Sequence, residues 1–113
     1  MKTLVLAAAA AATLVTSTAA SAHEWDRESR IDRRLAEQAY RIRHNRHTGQ
    51  LTLLEKWRLQ NEQRRVAAME RTALRDGYIS RSEARRIAAA QDRAAYHIAR
   101  ESRDSQRAWW RNW

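Results

Sequence analysis

The chain has no cysteine, no proline and no phenylalanine, and it has only two glycines. Without cysteine there is no disulfide framework and no thiolate chemistry. Two glycines, Gly49 and Gly77, cannot supply a glycine-rich phosphate loop or a dinucleotide fingerprint. The absence of proline removes collagen-like and proline-rich architectures. So few turn residues also argue against a β-rich fold. Acidic charge is scarce relative to basic charge: 13 Asp and Glu face 22 Lys and Arg, giving +9 over 113 residues. That length suits one small domain.

What is present begins with an export-type segment. Lys2 supplies a positive start, Leu4 to Val15 is apolar, and Ala20-Ser21-Ala22 is an A-x-A site. The apolar run is short for a bilayer span and ends in small residues. Residues 1–22 are therefore expected to be a signal peptide cleaved after Ala22, with a periplasmic or secreted product. No cysteine follows the site, which closes the lipoprotein route. Residues 23–113 would carry +8, and 20 of their 21 cations are arginine. Arginine stacks and forks onto carboxylates and phosphates, although genome composition inflates it too.

Three amphipathic helices are expected within a helical domain at 23–108. The first runs from about Glu24 to Arg46, with Ile31, Leu35, Ala39 and Ile42 on one face. The second runs from about Thr52 to Arg75, with Leu59, Val66, Met69 and Ala73 aligned. The third runs from about Ser80 to Arg107 and aligns Ala84, Ile87, Gln91, Ala94 and Ile98. Glycine suits the left-handed position after a helix, so Gly49 and Gly77 mark the junctions. Thr52 with Glu55, and Ser80 with Glu83, have the spacing of capping boxes. The fold class is all-α, in an up-down-up helical hairpin. Only 12 Leu, Ile and Val lie beyond residue 22. Such a thin core leaves three routes to stability: a dimer, a loose hairpin, or ordering on a partner.

The junctions belong to a repeat of period 28 at 48–55 and 76–83. Arg43, Gly49, Leu51, Thr52 and Glu55 align with Arg71, Gly77, Ile79, Ser80 and Glu83. Arg58, Leu59, Gln63 and Arg65 align with Arg86, Ile87, Gln91 and Arg93. Duplication explains these matches better than two helix starts built by the same rules.

Each candidate chemistry has a plainer competitor. Asp76, Gly77, Ile79 and Glu83 match the second half of an EF-hand loop, but Thr72 and Leu74 stand where oxygen ligands belong. Capping accounts for the same residues. His44 and His47, and His23 at the expected mature terminus, are weak metal candidates, and Arg41, Arg43 and Arg46 oppose a cation there. No constellation of acid, base and nucleophile emerges, so neither an enzyme nor a cofactor is expected. Arg64, Arg65, Arg85 and Arg86 form basic spots for an anionic partner, although acids are scattered among them. An export signal argues against nucleic acid. The tail at 109–113 places Trp109, Trp110 and Trp113 beside arginine. That composition suits a lipid interface, a protein contact, or packing back on Trp25 and Trp57.

On the two Gly-x-[Leu/Ile]-[Thr/Ser]-x-x-Glu segments, residues 28–107 resemble a group of small exported bacterial helical proteins of unknown function. Leu51-Thr52-x-x-Glu55 and Ile79-Ser80-x-x-Glu83 are more distantly similar to the paired Leu-Thr-x-x-Gln motifs of the Spy/CpxP periplasmic stress chaperones. Here Glu replaces Gln, and the second copy has Ile-Ser. The resemblance implies a dimeric cradle that holds unfolding clients without ATP. The expected function is thus a non-enzymatic periplasmic interaction protein, chaperone-like or stress-related, for unfolded or acidic clients. The alternative is binding to anionic lipid or lipopolysaccharide through the Trp/Arg tail. A third option is a divalent-metal responder using the degenerate loops.

Overall fold

The computed structural model describes residues 10–108, with side chains described for 25–103. It is all-α. Helix α1 spans Ala10–His47, α2 spans Leu53–Ala73 and α3 spans Arg81–Ala108. A single 3-10 turn, Leu74–Asp76, extends α2 toward the second junction. α1 runs unbroken past Ala22, where cleavage is expected. Residues 1–9 and the tail 109–113 lie outside the described residues. No helix among the described residues is long and apolar enough to cross a membrane.

Both junctions are built alike. Gly49 and Gly77 take φ of +82° and +93°, the left-handed region where a Cβ is strained. Thr52 Oγ1 accepts from the Glu55 amide at 3.2 Å, and Ser80 Oγ accepts from the Glu83 amide at 3.2 Å. These bonds satisfy amides that the first helical turn would otherwise leave open. The Thr52 hydroxyl also donates to Glu55 Oε1 at 2.9 Å. Two residues after each glycine, Leu51 and Ile79 are buried almost completely. Each junction therefore reverses the chain, caps the next helix and delivers one large side chain to the core.

The three helices close into a bundle in which each packs on the other two. Helix α3 runs parallel to α1: Arg27 donates to the Ile79 carbonyl, and Asn45 donates to Ser102 Oγ. Helix α2 runs antiparallel to both. The expected apolar faces point inward, with Ile31, Ile42, Leu59, Val66, Ile87 and Ile98 all buried.

The core divides into two clusters. One contains Ile31, Val66, Ile79 and Ile87, with Leu35, Met69 and Leu74 packed against it. The other contains Ile42, Leu51, Leu59 and Ile98. On every helix a glutamine stands between them. Gln63 Nε2 donates to Gln38 Oε1 at 2.7 Å, and Gln38 Nε2 donates to the Gln91 carbonyl at 2.9 Å. Gln91 Nε2 donates to the Ile31 carbonyl at 3.0 Å. Gln38 and Gln91 are buried, so these bonds replace water entirely.

Truncating Gln38 leaves the Gln63 amide without its acceptor, while the Gln91 carbonyl keeps its bond within α3. Gln38→Ala should therefore cost about 1–3 kcal/mol, the cost of one uncompensated polar group. Urea unfolding followed by helix circular dichroism measures this. Replacing Gln38, Gln63 and Gln91 all by Leu should recover most of that loss, because no polar group on those side chains is left unpaired.

Candidate functional site

An open groove of about 610 Å³ lies between α2 and α3. Its volume falls in the range of small-ligand and peptide sites. Met69, Ala73 and Ile87 supply an apolar floor that continues the first core cluster outward. Arg65 on α2 and Arg86 on α3, both exposed, flank it from opposite walls, and the half-buried Glu83 lines it beside Arg86. Ala68, also exposed, stands at the rim. The repeat places these residues: Arg86 is one turn from the cap formed by Ser80 and Glu83, and Arg65 follows the Gln63 that fixes α2 against α1. The groove thus sits on a rigid part of the bundle.

Of the four arginines singled out by the sequence, the structure brings two together. Arg65 and Arg86 share the groove. Arg64 faces away from it, donating to Asn61 Oδ1 at 2.9 Å and lining a cleft between α1 and α2 with Arg43. Arg85 is exposed on α3. Trp109, Trp110 and Trp113 lie outside the described residues.

The junction residues act as caps. Glu83 is tied to the Ser80 cap through its amide, and Asp76 closes the 3-10 turn. His44 stacks on Tyr40 with ring centroids 5.6 Å apart, and His47 is exposed. The His23 side chain is outside the described set. Among the described residues no group of three His, Cys, Asp or Glu side chains could hold a metal ion. His97 Nδ1 lies 2.9 Å from both Glu62 carboxylate oxygens, which joins α3 to α2.

Two features escaped the sequence reading. The first is an apolar patch at the start of α2, where Leu53, Leu54 and Trp57 are 66%, 55% and 57% exposed. At 100° per residue they project opposite to Leu59 and Val66, so their position was available from helical geometry. The second is an acidic contact between α1 and α2. Burial pushes the Glu70 carboxyl up to about 7, helped by a hydrogen bond with Asp32 and by the charges of Asp32 and Glu28, while Arg71 opposes the shift. Glu70 Oε2 is buried without a hydrogen-bond partner. This contact joins residues 38 apart, which no local pattern reveals.

Glu70 binds its proton more tightly in the folded chain than in the unfolded one. Its contribution to stability is complete below its ordinary value of 4.5 and is lost as pH rises through about 7. The melting temperature should accordingly fall between about pH 5 and about pH 8. Glu70→Gln keeps the neutral shape, so it should flatten that segment of the profile and raise stability at the upper end. Thermal melts of both proteins across the range test this.

No family model matches the chain, and neither the curated proteins nor the solved structures contain a significant match.

Proposed function

We propose that this is a non-enzymatic interaction protein of the cell envelope, exported by residues 1–22 and processed after Ala22. It holds unfolded or acidic protein segments in the α2–α3 groove. The observation that carries this reading is the pairing of an apolar floor at Met69, Ala73 and Ile87 with Arg65 and Arg86 on facing walls. An unfolding segment presents apolar side chains and backbone together. The floor takes the side chains by removing apolar area from water, at roughly 25 cal/mol per Å². The arginines add forked hydrogen bonds to carboxylates. The groove is open to solvent, so capture and release need no energy source.

The test is light scattering of a heat-unfolding client, with and without the protein, at low salt and at about 0.5 M salt, where surface charges are largely screened. Suppression should survive high salt for a neutral client and weaken for an acidic one. Ala68→Glu adds a carboxylate at the rim without touching the core, and should lower suppression severalfold. Arg65→Glu with Arg86→Glu should selectively lose acidic clients. No suppression at either salt, or full suppression by Ala68→Glu, would overturn the reading.

A further inference from the structure

The surface of α2 that faces away from the bundle has a different character from the rest of the molecule. Its three acids are all half-buried and held by other contacts. Glu55 caps Thr52, Glu62 bonds His97, and Glu70 packs against Asp32 on α1. The outward surface keeps only the cations. Arg64, Arg71 and, in the 3-10 turn, Arg75 follow one line, which borders the α1–α2 cleft at Arg64; Arg58 and Arg65 follow another, which borders the α2–α3 groove at Arg65; all are exposed. Arg71 lies within electrostatic reach of Glu70 and Arg64 donates to Asn61, while Arg58, Arg65 and Arg75 are exposed. From Arg58 to Arg75 the row runs for about 25 Å.

The row begins at the apolar patch of Leu53, Leu54 and Trp57. The repeat supplies an internal control for that patch. The positions 28 residues later are Arg81, Ser82 and Arg85, also exposed and also just past a capped junction. Junction geometry therefore does not require apolar residues there. Eight of the 12 aliphatics beyond residue 22 are buried, and Leu35 and Leu74 are half-buried. Only Leu53 and Leu54 are left in water, side by side with a tryptophan.

We infer that the outward face of α2 docks flat on an anionic lipid bilayer surface. Leu53, Leu54 and Trp57 enter the boundary between headgroups and acyl chains, and the arginine row lies on the phosphates. A soluble polyanion would use the arginines alone. A lipid surface uses both halves of the face, because interfacial helices combine Trp and Leu with Lys and Arg. The face shares Arg65 with the rim of the α2–α3 groove, whereas the apolar patch of Leu53, Leu54 and Trp57 lies apart from that groove.

The experiment uses the protein as released by cells expressing the full chain. Co-sedimentation is measured with phosphatidylcholine vesicles and with vesicles of phosphatidylcholine plus phosphatidylglycerol. Binding should require the anionic lipid and fall with salt. Each arginine near a charged surface contributes about fivefold. Arg64→Ala with Arg71→Ala should therefore weaken binding roughly 25-fold. Leu53→Ser, Leu54→Ser and Trp57→Ser together should weaken it at least about tenfold, from lost apolar burial. Helix circular dichroism confirms folding, which exposed substitutions leave intact. Removing residues 109–113 should leave binding to anionic vesicles in place. The inference is overturned if phosphatidylcholine vesicles bind equally well. It is also overturned if the Ser variants bind like the parent, which is the behaviour of a charge-only polyanion site. Loss of binding on tail removal alone would likewise overturn it, placing the lipid contact in the tail.

Discussion

Gln38 accepts from Gln63 and donates to the backbone of Gln91, and through that layer each helix is fixed against the other two. Apolar contacts alone would not do this. Ile, Leu and Val surfaces tolerate a slide of one turn, because the alternative places similar side chains in similar holes. A buried amide does not tolerate it, since a shifted register strands donors and acceptors away from water. With eight buried aliphatics and three buried alanines, the core has little packing to discriminate between registers. The glutamine layer supplies the discrimination at the midpoint, between the two clusters. Polar residues in cores have this role in coiled coils as well.

Much of this was legible in the chain, because it is encoded locally. The two glycines, the Thr and Ser caps and the apolar spacing act within one or two helical turns, and together they place all three helices and both reversals. Gln91 fell on the apolar stripe of its helix, which marked it as inward-facing before any contact was known. Gln38 was not recognised, although Leu35 and Ile42 bracket it at helical spacing. Its burial depends on partners 25 and 53 residues away. The groove was half legible. Arg65 and Arg86 were singled out as basic spots, but their sharing of one concavity depends on the antiparallel register of α2 and α3. That register rests on long-range contacts such as Glu62 with His97.

The basic face of α2 shows why composition can mislead. Read along the chain, acids and arginines alternate and seem to cancel. Read around the helix, Glu55, Glu62 and Glu70 are half-buried and held by other contacts, while the arginines are exposed. Two of those acids have duties that fix their side: Glu55 must reach the cap three residues before it, and Glu62 must reach His97. Once carboxylates are committed to caps and interhelical bonds, the remaining surface is cationic by default. A net charge of +9 thus becomes a directional field.

The two junction-and-helix segments show how one small bundle can carry two different surfaces. Each is a capped junction followed by an amphipathic helix. The inward positions match between them: Leu51 and Ile79, Leu59 and Ile87, and Gln63 and Gln91 are of one chemical type. The outward positions differ. Leu53, Leu54 and Trp57 stand against Arg81, Ser82 and Arg85, and Arg64, bonded to Asn61, stands against Asp92, which holds Arg34. Packing constrains the first set and leaves the second unconstrained. The apolar cluster of Leu53, Leu54 and Trp57 stands where packing makes no demand, and contact with another surface is the ordinary role of such exposed apolar groups.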